Sequence, residues 1–516
     1  MRTKQKKEFI DLTIEQVSTL IQSVKNNNLT AEQQKIILIL IEQIVDIKKT
    51  ADERKAALSK AKRLLGSSTE KSKKDTTNTK STDKKNGHGR NGIDDYKISR
   101  TYDHEHELKI GTLCDLCGKG KLSKMAPKQI IRLVGQPAII AELHRPERLR
   151  CSGCGAIFTA KLPEEVGDEK NTVSANALVA IYRYGMGLPH YRLAAMQKAA
   201  GVPLPASTQY EMSEMLWTKV VPIYKELIKQ AANYSIFHTD DTTGKILSLM
   251  KDKEKRKAKG ERVGIFTTGI VAKGDEHTIN LFFTGKKHAG ENFADLLDLR
   301  NTDLEIPIQM GDAATRNIPK NHATNLALCL VHARRNFFDC SDSFFDEATH
   351  VIDQIAVIYK NEKIIKNKAL NPEERLTYHI QHSKPLMEKL YKYAKNKIEN
   401  KEVEPNSAIG SAFKYFIKHW KGLTKFCNTV GAPIDNNIAE RFIKKALLHR
   451  KNSLFYKTED GAKVGDAIMS IIQTTISAGV DPFEYLITLQ KNSKPVANNP
   501  QLWLPWNYTK MLKSIS

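Results

Sequence analysis

Three carboxylates stand where short apolar runs end. Asp240 follows YSIFHT (234–239), Asp312 follows IPIQM and Gly311, and Glu440 lies in PIDNNIAERFIKK (433–445), where a polar cap runs into a helical pattern. Apolar runs of this length read as buried strands, so both aspartates are delivered to a sheet edge at a strand's last residue. Carboxylates gathered there repel one another, and their pKa values rise unless a cation neutralises them. Hard oxygen donors with open positions suit Mg²⁺ or Mn²⁺, and a pair of such ions activates a hydroxyl and stabilises the leaving oxygen in phosphodiester cleavage. Each residue also has a plainer use. Asp at a strand terminus is a common turn residue, and Glu440, three residues after Asn437, has capping-box spacing.

A second constellation is made of thiols. Cys114-x-x-Cys117 and Cys151-x-x-Cys154 are 33 residues apart, each followed directly by glycine (Gly118, Gly155). Each pair lets one tight knuckle place two thiolates at adjacent corners of a tetrahedron, and four thiolates close the coordination sphere, which marks structural Zn²⁺. The intervening QIIRLVGQPAIIAELH suits the hairpin of a zinc ribbon. Arg145, Arg148 and Arg150 cluster before the second knuckle, a candidate DNA contact whose plain alternative is a solvated basic face.

The elements that must position these groups fall in order along 516 residues, enough for several domains. Ile10, Ile14, Val17, Ile21 and Val24, then Ile37, Ile41, Ile44 and Ile47, form two helical seams, with capping-box spacing at Thr13/Gln16 and Thr30/Gln33. These seams pair either with each other as a hairpin or with another chain. From Gly66 to about Arg100 the chain is nearly devoid of large apolar residues, which predicts a disordered basic linker. Residues 170–230 read as packed helices, with Ser207 as a cap. Runs at 234–239, 263–272, 278–284, 306–310 and 326–331 read as a meander followed by strands with helical crossovers. Residues 345–400 are helical and charged, with Asn371, Pro372 and Glu374 forming a helix start, and Phe413, Phe416, Ile417 and Trp420 share one face of a later helix. Lys and Arg number 81 against 58 Asp and Glu, a net +23 that points to a polyanionic partner. Seven cysteines are too few for a disulfide scaffold. The most apolar run, 35–47, is broken by Glu42 and Asp46 and is too short to span a bilayer, so no membrane association and a cytoplasmic location are expected.

The ordered blocks PIDNNIAERFIKKALLHRKNSLF (433–455), IIQTTISAGVDPFEYL (471–486), CLVHARRNFFD (329–339), HTDDT (238–242) and RLLGSSTEK (63–71), with the four cysteines, resemble the insertion-sequence-66 (TnpC-type) family of bacterial transposases over nearly the whole chain. This chain has Asp241 where members usually carry Glu, Ala313-Ala314 in place of glycine-tyrosine, and Ser453 in place of a tryptophan.

The resemblance implies an α/β multidomain protein. A helical, coiled-coil oligomerisation region (1–66) and a basic linker (67–105) would precede a DNA-binding zinc ribbon (106–160) and a helical domain (161–225). An RNase H-like mixed sheet (226–345 and 411–490) would follow, interrupted by a helical insertion (346–410) and ending in a tail (491–516). It further implies a DDE triad of Asp240, Asp312 and Glu440 holding Mg²⁺ or Mn²⁺, alongside structural Zn²⁺ on Cys114, Cys117, Cys151 and Cys154. Cys329 and His332 would support the active-site wall rather than donate ligands. Arg334, Arg335, Arg441, Lys444, Arg450 and Lys451 would contact phosphates. The implied partners are the element's terminal inverted repeats, target DNA, further copies of the chain and small accessory transposition proteins, in a nucleoid-associated setting. The rival readings are a zinc-ribbon DNA-binding regulator, including a domesticated transposase that no longer cuts, and a nuclease without strand transfer.

Overall fold

The computed structural model describes residues 14–25, 29–41, 111–112, 119, 121, 138–150, 157–161, 163 and 169–515. Outside them lie Thr13, Ile44 and Ile47, the linker 67–105, and all four knuckle cysteines, Cys114, Cys117, Cys151 and Cys154. The chain divides into two units, Met1–Pro137 and Ala138–Ser516.

In the first unit, α1 (Ile14–Lys25) precedes α2 (31–41). Thr30 and Gln33 make the reciprocal box their spacing predicts: Gln33 N donates to Thr30 Oγ1 (3.2 Å) and Thr30 N to Gln33 Oε1 (3.0 Å). Gln33 Nε2 also donates to Ser23 Oγ (3.3 Å), tying the helices together, while Ile21, Val24, Leu38 and Ile41 stay exposed.

The second unit opens with a two-stranded hairpin, β1 (Arg148–Arg150) and β2 (Ile157–Thr159), paired from Arg148↔Thr159 to Arg150↔Ile157. Three helices follow: α3 (Val173–Ala180), capped by Thr172, then α4 (His190–Ala199) and α5 (Ala206–Ala232). Ser207 does not cap α5. Extended Pro205 takes the cap position and Ser207 falls within the first turn, while buried Gln209 ties that turn to Leu204 O and His190 O. Leu216, Val220, Ile223, Leu227 and Ala231, at helical spacing, press α5 into the main core.

That core is built on a five-stranded sheet. Its strands are β3 (Ile236–Thr243), β4 (Phe266–Lys273), β5 (Thr278–Gly285), β6 (Ile308–Gly311) and β7 (Asn325–Leu328), in the order β5-β4-β3-β6-β7. Short helices α6 (Leu247–Lys251) and α7 (Lys253–Ala258) link β3 to β4, and α8 (Ala289–Leu297) leads from β5 toward β6. β5, β4 and β3 form an antiparallel meander; β6 and β7 run parallel to β3. All five expected strands are present, with two differences of extent. β3 does not stop at Thr239, because Asp240–Thr243 go on pairing with β4 after the parallel partner has ended. The last run stops at Leu328, because Cys329 turns the chain into α9 (Leu330–Asp339).

α9 enters a second core with α10 (Phe345–Asn367), α11 (Pro372–His382), α12 (Lys384–Glu399), α13 (Ala408–Lys418) and α14 (Trp420–Leu423), around Phe337, Phe413 and Phe416. Asn371 and Glu374 form the expected capping box, with Pro372 at the first helical position. Buried Glu362 accepts from His379 Nε2 (2.9 Å) and Arg375 Nε (3.1 Å). Burial pushes its carboxyl up, but His379 and Arg375 outweigh that and hold it below the usual range. Arg375 also donates to Ala432 O (2.8 Å), fastening this helical layer to the segment that returns to the sheet.

The chain returns as α15 (Asn437–Ser453), which lies on β3 and β4, and α16 (Glu459–Ser477), which runs along β5. α17 (Pro482–Lys491) and α18 (Ser493–Asn498) cover α5. A strand at a sheet edge presents unpaired N–H groups at every second residue. Here those of Asn280, Phe282 and Thr284 donate to Thr474 Oγ1 (3.0 Å), Ser470 Oγ (2.9 Å) and Asp466 Oδ2 (2.5 Å), three α16 residues spaced by four. One polar helical stripe therefore closes the edge.

Candidate active site

Strand pairing brings the two aspartates together. Phe237 and His238 of β3 lie beside Gln309 and Met310 of β6, in parallel. Asp240 and Asp312 each stand two residues beyond the His238–Met310 pair, so they occupy equivalent places on adjoining strands. Across the sheet, Asp240 pairs with Gly269, and Gly269 with Phe282. The missing side chain at Gly269 is what seats α15: a Cβ there would stand 3.1 Å from both Ile443 and Phe442, and Phe442 stacks on Phe282 at 4.1 Å. Glu440, one turn before Lys444, enters from this helix.

Asn436 fixes where α15 begins. It is buried; its Oδ1 meets His238 Nδ1 (3.2 Å), its Nδ2 donates to Thr239 O (3.0 Å), and its backbone N donates to Cys329 Sγ (3.3 Å). One residue, through its side chain and its backbone N–H, thus ties β3, the end of β7 and the start of α15. Asn437 makes no side-chain cap, so Glu440 is not held in the capping box its spacing allowed. Asn436 was not singled out from sequence; the signal was the polar Asp435-Asn436-Asn437 run, whose long-range bonds sequence spacing does not reveal.

The charges at this place are unbalanced. Burial pushes the Asp240 carboxyl up to about 7; a bond from Asp241 N (2.8 Å) pulls it down, and the charges of Asp312, Asp241 and Glu440 push it up again. Among the described residues no Lys or Arg forms an ion pair with Asp240, Asp312 or Glu440. Asp241 differs: it accepts from His288 Nδ1 (2.8 Å) and lies 3.8 Å from Arg316 Nη2. Strand alternation turns it to the other face. Asp312 Oδ1 accepts from Ala314 N (3.2 Å) and Asn317 Nδ2 (2.9 Å), which orients its carboxylate beside an open cleft of about 340 Å³. His332, Arg335, Tyr415 and His419 line the same cleft. These oxygen donors are of the kind that suits a hard divalent cation, although among the described residues the three carboxylates do not form a group whose oxygens all lie within 4.8 Å of one another.

The expected basic residues divide by position. Arg335 faces the cleft, and Arg441, Lys444 and Lys451 are exposed along α15. The Arg334 guanidinium lies over the Phe338 ring (5.9 Å). Arg450 is engaged within the fold, donating to Thr243 O and to Thr242 Oγ1 (3.4 Å), which fastens the end of α15 to the end of β3. Arg145 and Arg148 are exposed at the hairpin. A further basic feature went unnoticed in the sequence. Lys251, Lys253, Lys255, Lys257 and Lys259, around α6 and α7, are all exposed, whereas Arg256 among them is buried and donates to Leu249 O (3.2 Å) and Arg262 O.

Sheet and site together define an α/β domain that gathers carboxylates from two adjoining strands and a returning helix. The sequence profile of the Transposase IS66 family matches residues 170–464, more than half the chain, and the protein belongs to that family. It is 25% identical over 407 residues to the uncharacterized protein y4jD of Sinorhizobium fredii, covering 76% of this chain and 77% of that one. It is 23% identical over 429 residues to the uncharacterized protein y4hP of the same organism, covering 77% and 74%. Among the described residues no helix is long and apolar enough to cross a membrane.

Proposed function

We propose that this protein is the DNA transposase of a bacterial insertion sequence, with an RNase H-like core whose Asp240, Asp312 and Glu440 hold Mg²⁺ or Mn²⁺. The observation that carries the reading is the crowding of Asp240 by two carboxylates remote in sequence, with no Lys or Arg among the described residues paired to any of the three. The strand order, an antiparallel meander flanked by two parallel strands, supports the RNase H-like assignment. Bound cations would lower the pKa of the attacking hydroxyl and offset charge on the leaving oxygen.

In the proposed reaction, water attacks a phosphodiester at the element end; the P–O3′ bond breaks, leaving a 3′-hydroxyl and a 5′-phosphate. That hydroxyl then attacks a target phosphodiester, forming a new P–O bond as the target's 3′-oxygen leaves. Asp240 and Asp312, from adjoining strands, would hold the ions together with Glu440. Asn436 holds the start of the helix that delivers it. Arg335, Arg441, Lys444 and Lys451 contact phosphates, and the lysines of α6 and α7 extend that basic surface. Residues 106–160, as a zinc ribbon with Arg145 and Arg148, would bind the terminal inverted repeats. Residues 1–66 would join copies of the chain, with small accessory proteins assisting, in the nucleoid-associated cytoplasm.

The test is Asp240→Asn in the full chain, assayed on labelled element ends with Mg²⁺ or Mn²⁺. Cleavage and joining to a plasmid should disappear while end binding persists; retained cleavage refutes the assignment. Cleavage without joining in the unaltered protein would make it a nuclease.

A further inference from the structure

Among the described residues, one group brings together sulfur, nitrogen and oxygen donors: Cys329, His332 and Glu440, whose ligating atoms all lie within 4.8 Å of one another. Cys329 and His332 share the first turn of α9, and Glu440 faces them from the first turn of α15. Three observations make this more than a chance meeting of side chains.

First, the sulfur is surrounded by donors. Cys329 is buried, and the backbone N–H groups of Asn436, His332 and Val331 point at its Sγ. Asn436 N donates to this Sγ (3.3 Å), which turns the sulfur toward the start of α15, where Glu440 stands. Second, His332 Nδ1 is shielded from solvent and has no hydrogen-bond partner, an arrangement that is costly unless something else satisfies it. Its nearest carboxylate oxygen, Glu440 Oε1, is 3.9 Å away, too far for a hydrogen bond. Third, the spacing suits an ion. Bonds of about 2.0–2.3 Å at tetrahedral angles put ligand atoms about 3.4–3.7 Å apart, so three atoms within 4.8 Å close on one ion through small side-chain rotations. His332 also lines the open cleft, which leaves a fourth position reachable from solvent.

We propose that Cys329, His332 and Glu440 form a second cation site, specific for a thiophilic divalent ion of the Zn²⁺ class. Thiolate, imidazole and carboxylate together select Zn²⁺ or Co²⁺ over Mg²⁺, which takes oxygen donors. The site itself follows from the donor geometry. Its regulatory consequence rests on the functional reading above: an ion held here draws on Glu440, so Zn²⁺ competes with the Mg²⁺-dependent reaction.

The experiment uses the full chain, purified and dialysed against buffered Zn²⁺, with metal content measured per chain. Wild type should retain one ion more than Cys329→Ser; the knuckle cysteines are unchanged in both, so the difference reports this site alone. His332→Ala, at a partly exposed position, should weaken the extra ion at least about tenfold, since loss of even an outer-shell partner costs 10–100-fold. Asp240→Asn should retain it. In cobalt-exchanged protein, the wild-type minus Cys329→Ser difference spectrum should contain a thiolate-to-cobalt charge-transfer band. If Cys329→Ser does not fold, His332→Ala and Glu440→Gln decide by metal content. Equal metal content in wild type and the folded variants overturns the proposal, as does loss of the extra ion in Asp240→Asn. Extra Zn²⁺ in a protein that still cleaves no DNA once that ion has been removed and Mg²⁺ or Mn²⁺ supplied would refute the transposase reading and leave this site standing.

Discussion

Replacing Asp240 by Asn should make the metal-free protein more stable above neutral pH. The folded protein raises this carboxyl from 3.8 to about 7, chiefly by burial, then by the charges of Asp312, Asp241 and Glu440. At about 1.4 kcal/mol per pH unit, keeping the group ionised in the fold costs at most about 4 kcal/mol, and roughly half survives a discount for solvent screening at a half-buried position. A carboxyl whose folded pKa exceeds its unfolded value binds protons more tightly in the fold. The wild type therefore loses stability as pH rises from about 4 to about 7, and the amide does not. Asn can still accept the Asp241 N–H, so the variant loses no backbone bond. Thermal unfolding in chelator should show Asp240→Asn melting ~3 °C above wild type at pH 8, with the gap closing toward pH 4. Added Mn²⁺ should raise the wild-type midpoint and act much less on the variant. A variant less stable than wild type at pH 8, or a gap that does not change with pH, would refute the electrostatic argument.

Gly269→Val fills the row on which α15 rests, where even a Cβ comes within 3.1 Å of Phe442 and Ile443. It should cost about 1–3 kcal/mol and abolish cleavage by displacing Glu440, read as a lower melting temperature together with lost activity. Asn436→Ala removes three side-chain and main-chain ties at one junction only in part, keeping the backbone N–H to Cys329 but losing the bonds to His238 and Thr239. Chemical denaturation should report about 2–4 kcal/mol lost, and Mn²⁺ affinity should fall with it. Changing Lys251, Lys253, Lys255, Lys257 and Lys259 to Gln should leave the melting temperature unchanged. The slope of log binding constant against log salt should become shallower on any duplex, by close to one for each lysine that touches a phosphate.

How far the sequence reveals this molecule depends on the range of each interaction. Strands of β-branched and aromatic residues were legible because their cause is local. So were the starts at Thr30 and Asn371, where cap and partner are three residues apart. The extension of β3 through Asp241, Thr242 and Thr243 was not legible, because polar residues stay in a strand only when a neighbour such as β4 supplies the pairing. Ser207 misled for the opposite reason: a residue with good capping chemistry was bypassed when Pro205 took the extended position. Asp240 and Asp312 were visible as residues, yet their adjacency follows from β6 lying beside β3, a choice of strand order that no local pattern encodes. Asn436 was hidden altogether, since its partner His238 is 198 residues away. Asp466, Ser470 and Thr474 look like the wet face of an amphipathic helix, although all three are buried.

That last stripe sets a timetable for biosynthesis. The amides of β5 wait for acceptors 182 to 194 residues further along the chain. At about 5–20 residues per second, a ribosome takes on the order of ten to forty seconds to deliver them. Throughout that interval the nascent sheet exposes a border able to pair with any other extended polypeptide, and Glu440 arrives only near its end. A growing chain therefore has to pass through its most adhesive phase before it possesses a finished set of acidic groups, and a shortage of shielding by chaperones during translation would limit how much usable protein a cell obtains.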